Sequence, residues 1–569
     1  MRKSLIGVAL AGITGPLSLV AGESPARVYD AVIYGSSPAA ISAAIQLKRM
    51  GKEAVVVSPE TRIGGLTTGG LGATDIGNKK AFGGIALDFY KAVAAYYRQE
   101  ANWKWEKRSE HVLNEQSSQR TVDSMWTFEP SAALKILEGW EKKYGLDIRR
   151  GEYLDRESKS GVEVEGGRIK SIRTLGGNEY RGRMFVDATY EGDLMAAAGV
   201  SYAVGREANA VYGETINGNA PLAEGAWNHN INDGVSPYVK AGDRNSGLLC
   251  GIEPYDPNEK PGDGDRRVQA YCFRMCLTDV PANRIPFAKP SNYDERNYEL
   301  LFRDYEAAWS NSESKVIGAR VRKNRPIPAI MTRMPNRKTD TNNRCGVSTD
   351  YIGQNWRWPE ASYEERERIL KAHLDYQKGL MWTLANHPRV PETVRAYFSK
   401  YGTCKDEFLD GLGDGWQRQL YVREARRLVG DYVMTERNCR GTIKAARPVA
   451  MGAYTMDSHH VRRVETKEGF VRNEGNVEDG KFPGPYGIDY GAIVPKRGEC
   501  ANLFVPVCLS ASHMAFGSIR MEPVFFALGQ VAGTAAAQAI DAKCAVQDLP
   551  YGPLAARLVA DGQVLAFER

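Results

Sequence analysis

The stretch that most constrains this chain lies just after residue 27. Val28-Tyr29-Asp30-Ala31-Val32-Ile33-Tyr34 is β-branched and aromatic, which predicts a short buried strand. Gly35-Ser36-Ser37-Pro38-Ala39-Ala40 follows, then a small-residue helix over 41–50 with Gly51 at its C-cap. Glu53-Ala54-Val55-Val56-Val57-Ser58 reads as a second strand. Strand, tight glycine turn, helix and strand form the opening βαβ unit of a nucleotide-binding α/β fold. In such a unit the helix start turns free N–H groups and a positive dipole end toward a pyrophosphate.

Against the pattern G-x-G-x-x-G/A, only Gly35 and Ala40 match. Ser37 replaces the second glycine but is small enough for close phosphate approach. Pro38 suits the first helical turn, where a missing N–H costs nothing. The turn of Gly35, Ser36, Ser37, Pro38 and Ala39 is therefore the candidate phosphate site. Ser58 stands where an acid for the ribose hydroxyls is expected, and Glu60 is the substitute two residues on. A purely structural βα turn has the same composition. The next segment favours the nucleotide: Ile63-Gly64-Gly65-Leu66-Thr67-Thr68-Gly69-Gly70-Leu71-Gly72-Ala73-Thr74-Asp75 carries five glycines between Gly64 and Gly72. A loop so dense in glycine passes close to something flat or charged. Its apolar Leu66 and Leu71 argue against a solvated linker. Gly64, Gly65, Leu66, Thr67 and Thr68 join the candidate contacts.

With 569 residues, the chain has room for two to four domains or one large fold with an insertion. Its 43 % apolar and 25 % charged residues exclude wholesale disorder. The net charge of +6 is too small to indicate a nucleic-acid partner. Arg2 and Lys3 precede an uncharged stretch over 4–22 that ends Val20-Ala21-Gly22. This describes a secretory signal, and hence an exported, periplasmic or extracellular protein. The alternative is an uncleaved anchor, which would be the chain's one route to a membrane; Gly7, Gly12, Gly15 and Pro16 weaken it. The nine cysteines form no C-x-x-C pair, so neither a metal site nor an iron–sulfur cluster is expected. One or two disulfides and a set of buried free thiols both remain open.

Further along, an amphipathic helix is expected over 131–144 after Glu129-Pro130. Residues 206–345 are rich in Asn, Asp, Gly and Pro and read as an inserted, partly β domain. Tyr271, Phe273 and Met275 alternate there in strand fashion. Arg320, Arg322, Lys323 and Arg325 read as a solvated basic face. Helices are expected over 362–398 and 417–429, and a final small-residue helix over 524–540. Trp356, Trp358 and Trp382 read as packing residues, with sugar stacking as the alternative.

Several motifs in order resemble one family. They are the Gly35 turn, the 63–75 loop, Trp126-Thr127-Phe128-Glu129-Pro130, Phe185-Val186-Asp187-Ala188-Thr189-Tyr190-Glu191-Gly192-Asp193, Met334-Pro335-Asn336-Arg337-Lys338-Thr339-Asp340, and a block near the C-terminus. Together they are similar to exported bacterial FAD-dependent oxidoreductases of the two-dinucleotide-binding type, some of which carry the label xanthan lyase. The resemblance implies a Rossmann-like, glutathione-reductase-type FAD-binding domain at 23–205. An inserted mixed α+β substrate domain would occupy 206–440, and the chain would return to the FAD-binding domain over 441–569.

The resemblance also implies roles for particular residues. Asp187, Ala188 and Thr189 would approach the cofactor, and Asp193 its ribityl or phosphate region. Gly517, Ser518, Arg520, Met521 and Glu522 would reach the pyrimidine edge of the isoalloxazine, where Arg520 would offset negative charge on reduced flavin. His513 would act as base or acid near flavin N5 and His459 as its alternative. Arg333 would hold a substrate carboxylate or sugar hydroxyls.

The expected activity is hydride transfer from an organic substrate to FAD. A sugar or polysaccharide-derived alcohol is the expected substrate, and the electron acceptor is unidentified. A polysaccharide lyase and a non-catalytic carbohydrate-binding protein on a degenerate nucleotide fold are the alternatives.

Overall fold

The computed structural model describes residues 27–111, 123–220, 229–310 and 327–567. The leader over 1–22 and the basic run from Arg320 to Arg325 lie outside these residues.

The opening βαβ unit forms as the residues predict: β1 (Val28–Tyr34), α1 (Pro38–Arg49) and β2 (Ala54–Ser58). The short α2 (Gly65–Thr68), then α3 (Gly84–Tyr97) and α4 (Pro130–Tyr144), lead to β3 (Asp147–Arg150). A small hairpin, β4 (Val162–Glu165) and β5 (Arg168–Arg173), returns the chain to β6 (Glu179–Asp187). Strands β3, β2, β1 and β6 are adjacent and parallel. β6 is shared along its length. Its first half pairs antiparallel with β5, and its second half pairs parallel with a late strand, Leu503–Phe504. The C-terminal block is thereby built into the first sheet, as a Rossmann-like fold requires. Buried Val32, Ile33, Val55, Val56, Phe185 and Val186 give the strands apolar residues on both faces, the mark of a parallel sheet covered on both sides.

Two C-terminal helices complete this layer, α7 (His513–Ile519) and α8 (Glu522–Ala542), numbered after the inserted α6 (Tyr363–Asn386). α8 lies against α1 through small residues. A Cβ on Gly529 would meet Ala39 O at 2.3 Å, and one on Gly533 would meet Ala43 O at 2.6 Å. The glycines four apart thus let the two backbones approach closely. The Ala- and Gly-rich helix expected here serves helix-on-helix packing.

The insertion carries a five-stranded antiparallel sheet. In spatial order it contains Arg284–Pro286, Gly402–Cys404, Met275–Thr278, Lys338–Asn343 and Ala329–Met334. The expected strand alternation from Tyr271 becomes regular only at Met275. Two expectations need correction. Residues 417–429 form no helix; they run extended into the strand Arg426–Leu428, which pairs with Tyr202–Val204. Their charges point inward onto fixed partners, so helical periodicity does not decide the conformation. The chain also does not simply rejoin the first domain at 441. The hairpin of Arg462–Glu465 and Val471–Glu474 pairs with Ile252–Glu253 of the insertion.

Candidate active site

The start of α1 has the geometry of an anion cradle. Ser37 is its N-cap, in extended conformation, and contributes no capping hydrogen bond. Its hydroxyl instead donates to Ala188 O at 2.6 Å. The first-turn N–H groups therefore keep their dipole end without a side-chain cap. Gly35 has φ +124°, and a Cβ there would stand 2.5 Å from Ala188 O. That close approach explains the one glycine of the fingerprint that is retained, and Pro38 occupies the helix start as expected. Ser36 and Ala39 are buried in the same turn, where Ser36 O accepts from Gly64 N at 2.7 Å. The glycine loop is thus tied to the cradle. Gly64 and Gly65 both have positive φ, at 91° and 50°.

Ser58 and Glu60, both expected near the ribose, differ in how free they are. The Ser58 hydroxyl is spent on its own turn, donating to Glu60 O at 2.7 Å and accepting from Glu60 N at 3.1 Å. Glu60 lines a small cavity with Arg62, Gly65 and Arg418, and Arg418 stands 3.8 Å from its carboxylate. Burial raises the Glu60 carboxyl, and Arg418 opposes that shift.

The motif after β6 is largely self-contained. Asp187 accepts from Thr189 N and Oγ1 at 3.0 and 2.7 Å, and from Met195 N at 2.8 Å. Burial still lifts its carboxyl to about 6 against those hydrogen bonds. Asp193, expected at the ribityl or phosphate region, is engaged elsewhere. Its oxygens meet Arg156 at 2.9 Å, Arg366 at 2.6 and 2.8 Å, and Arg426 at 2.9 Å. Burial works against its ionised form, but the three guanidiniums outweigh it and hold the carboxyl well below the usual range. The Asp193 side chain is an ion-pair hub joining α5 (Asp193–Ala197) to the insertion.

At the start of α8, Glu522 is buried at 2 % exposure. Its carboxylate accepts from Thr67 N at 3.0 Å, Thr67 Oγ1 at 2.6 Å and Tyr190 Oη at 3.0 Å. Tyr190 Oη accepts from Leu66 N at 2.9 Å. Burial pushes the Glu522 carboxyl up to about 7, against these hydrogen bonds. Thr68 closes its own turn, donating to Ile63 O at 2.6 Å.

The acid–base groups converge on the loop between α7 and α8. A Cβ on Gly517, in the last turn of α7, would meet Asp457 O at 2.5 Å, so the end of α7 lies directly on the 457–459 segment. Arg520 seals the contact, donating to Asp457 O at 3.2 Å with its guanidinium 3.8 Å from the Asp457 carboxylate. It also donates to Tyr421 Oη at 3.0 Å. Ser518 is spent locally, donating to Tyr454 O at 2.5 Å and accepting from Tyr486 Oη at 2.7 Å. Met521 is the N-cap of α8. Burial raises Asp457 to about 6; Arg520 opposes that shift, while Asp75 and Glu478 add to it.

Two carboxylate–imidazole pairs stand beside this cluster. His459 Nδ1 is 3.0 Å from Asp350, and His513 Nδ1 is 2.7 Å from Glu424. Gln269 joins them, accepting from His459 N at 3.0 Å and donating to Glu424 at 2.8 Å. Arg423 lies 2.9 Å from Asp350 and Arg427 2.8 Å from Glu424. One extended run, Arg423-Glu424-Ala425-Arg426-Arg427, therefore supplies charges to both pairs and to Asp193. Burial drives His459 down to about 3, helped by Arg423 and Arg520 and opposed by Asp350. His460 turns away to His229 O at 2.7 Å, as alternate residues of an extended segment must.

Arg333 is not part of this network. It sits on an outer strand of the inserted sheet, is 43 % exposed in its side chain, and pairs with Glu106 at 2.5 Å. The expected substrate clamp would thus act away from the two carboxylate–imidazole pairs. Sequence reasoning missed Asp350, Gln269, Glu424 and Tyr421 as site residues. Asp457 was visible only as a neighbour of the histidines; its signal is the two-residue spacing to His459. Among the described residues no disulfide is formed and no group of three or more metal-ligating side chains occurs.

No curated protein significantly matches this chain. Among solved structures it is similar to a flavin-containing monooxygenase from Stenotrophomonas maltophilia, at 16 % identity over 32 % of this chain and 42 % of that one, with TM-score 0.18. It is similar to an anhydrotetracycline hydroxylase from Streptomyces rimosus at 16 % identity, over 37 % and 38 % of the two chains, with TM-score 0.21. A bacillithiol disulfide reductase from Staphylococcus aureus gives 15 % identity over 28 % and 38 %, with TM-score 0.18. The chain thus spans less than half of each of these proteins. Residues 30–558 match the family model described as FAD dependent oxidoreductase. That match covers the anion cradle, the glycine loop and the Asp457–Arg520 contact alike, and the chain belongs to this family of FAD-dependent oxidoreductases.

Proposed function

We propose that the protein oxidises an alcohol carbon of a small organic or saccharide substrate, with hydride passing to FAD and the hydroxyl proton passing to Asp457. The observation that carries this reading is the direct contact of Arg520 and Gly517 with Asp457. It sets a titratable carboxylate against the loop that, in flavoproteins of this type, reaches the flavin. FAD, when bound, supplies the two-electron acceptor; the α1 start, the Gly64–Gly65 loop and Glu60 are the residues suited to hold it.

The protein's own groups then have distinct tasks. Asp457, at about 6, is ionised at neutral pH yet basic enough to accept a proton. A base is most effective when its pKa lies near the working pH. His459, at about 3, stays neutral, and its Nδ1 is fixed by Asp350. Its Nε2 is suited to accept a hydrogen bond from the substrate hydroxyl. Arg520 is the cation suited to charge developing at the flavin edge. His513, fixed by Glu424, is a second imidazole on the same network and the alternative base.

The choice of a sugar-derived alcohol rests on the leader sequence and on the family's naming. Without a cysteine pattern for an iron–sulfur cluster, oxygen, a quinone or a soluble carrier is the acceptor we propose. Neither the lyase nor the non-catalytic reading gains support from the family match.

The test begins with the visible absorbance of the purified protein and identification of the released cofactor. A panel of sugar alcohols and aldoses is then scored with a redox dye. FAD-loaded protein that reduces the dye with one of them, and stops doing so as Asp457→Asn, supports the reading. Turnover unaffected in Asp457→Asn overturns the assigned base. FAD-loaded protein that oxidises only non-alcohol substrates overturns the substrate class.

A further inference from the structure

We propose that the cavity beside the Gly77–Lys80 turn binds an organic acid, a carboxylate carried on a ring, with the Lys79 ammonium as its counter-ion. The cavity has a volume of about 680 Å³, and Gly77, Lys79, Ala453, Tyr454, Phe482 and Pro485 are among its lining residues. That is within the range of small-molecule sites.

Lys79 is the unusual wall. It is 5 % exposed, and its Nζ is buried with no hydrogen-bond partner among the described residues. Its nearest compensation is the face of Trp126, 5.7 Å from Nζ to the ring centroid. A buried cation held by an aromatic face alone is poorly compensated. Burial lowers this amine to about 8, so at neutral pH most of it still carries its charge. Elsewhere in this protein deeply buried cations have carboxylates: Lys338 meets Glu129, Asp406 and Glu407 at 2.7 to 2.9 Å, and Arg366 meets Asp193. Lys79 lacks the oxygen that those cations have, and it borders a cavity.

The remaining wall selects the rest of the ligand. Phe482, Tyr454, Ala453 and Pro485 offer apolar surface, and aromatic faces accept a flat ring or the C–H face of a sugar. A single buried ammonium suits a monocarboxylate; a phosphate dianion would call for more donors. The turn is also rigid. Gly77 has φ +69°, and a Cβ there would stand 1.7 Å from Ala453 O. Asn78 N donates to Ala453 O at 3.3 Å, and Asn78 Oδ1 accepts from Lys80 N at 3.1 Å. The backbone that carries Lys79 is therefore clamped, and only its buried side chain has to turn toward a ligand. The inference rests on this cavity and not on the redox reading, so it is tested by binding alone.

The experiment is calorimetric titration of the purified FAD-loaded protein with phenylacetate and with glucuronate, each paired with a neutral analogue, phenylacetamide or methyl glucoside. One acid is expected to bind roughly tenfold or more tightly than its neutral partner. The acid that binds tells an aryl from a sugar ring. Lys79→Met is expected to erase the difference while the flavin spectrum stays unchanged. The native protein provides a second reading: binding of the acid should weaken as pH rises past about 8, where Lys79 loses its charge, while binding of the neutral analogue stays level. Equal binding of acid and neutral analogue overturns the proposal. So does failure of both acids to bind, a preference retained in Lys79→Met, or acid binding that does not weaken above about pH 8.

Discussion

The Glu424 carboxylate stands 2.7 Å from Nδ1 of His513, and the same carboxylate accepts from Gln269, which in turn accepts from the backbone N–H of His459. Two imidazoles far apart in sequence thus share one buried hydrogen-bonded frame. A carboxylate on Nδ1 fixes the tautomer and leaves Nε2 as the reactive nitrogen. Glu424→Gln should lower kcat by about 10² to 10⁴ if His513 takes part in proton transfer. It also removes one of the two carboxylates that meet buried Arg427, Glu207 at 2.6 Å being the other, so a stability loss of about 1 to 3 kcal/mol is expected with it. The two effects separate when kcat is measured per mole of bound FAD and melting is followed independently. A destabilised variant with unchanged kcat per FAD would make His513 a structural residue.

Asp457 gives the pH dependence its sign. Burial raises its carboxyl to about 6, and only the ionised form accepts a proton. Log kcat/KM should therefore climb with pH up to about 6 and level off above it. Asp457→Asn should lose this limb and about 10² to 10⁴ in rate, while the visible flavin spectrum remains. A profile that is flat through pH 6 in the native protein would remove Asp457 from the role of base.

Gly35 and Gly51 make a matched pair at the two ends of α1. Both have positive φ, 124° and 71°. A Cβ on Gly35 would stand 2.5 Å from Ala188 O, whereas one on Gly51 would meet nothing within 4 Å. Gly51→Ala should cost about 1 kcal/mol, from backbone conformation alone. Gly35→Ala must also push β6 away from the start of α1, and should cost several times more. The check is paired thermal melts, with FAD content measured by absorbance. Gly35→Ala is expected to purify with depleted FAD and Gly51→Ala with its full complement.

What could be read beforehand follows from how local each signal is. The βαβ unit rests on short-range facts: β-branched runs, a glycine with φ +124° and a proline at a helix start. Its elements formed within three residues of expectation, the helix starting at Pro38 and not at 41. His459 and His513 came from the family resemblance, in a chain with only seven histidines. Their partners Asp350, Glu424 and Gln269 lie 89 to 190 residues away from them. Nothing in local spacing marks such partners. The 423–427 run misled for a related reason. Its alternation of Arg and Glu looks like a solvated helix face, yet Arg423, Glu424 and Arg427 are at most 2 % exposed. Their conformation is set by acids and imidazoles brought in from other segments. The arginines around Asp193 were hidden likewise, because they come from 156, 366 and 426.

Glu522 links the cofactor loop to stability, and the direction follows from its shift. Its carboxyl is raised to about 7 by burial at the start of α8, where it holds Thr67 and Tyr190. An unfolded glutamate titrates near 4.3. The folded chain therefore retains a proton that the unfolded chain has already released. This contribution to stability is fully present below about pH 4.3 and is lost as pH rises toward about 7. Glu522→Gln carries no charge at any pH. Its carbonyl can accept from Thr67 while its amide donates to Tyr190 Oη. The variant should be more stable than the native protein by about 1 to 3 kcal/mol at pH 8, and the advantage should vanish near pH 4.5. Paired melting curves across that range, on protein stripped of FAD, provide the check. An advantage equally large at both ends would show that the carboxyl is already neutral, or already ionised, throughout. A deficit at pH 8 would show that the ionised carboxylate is what Thr67 and Tyr190 are built to hold.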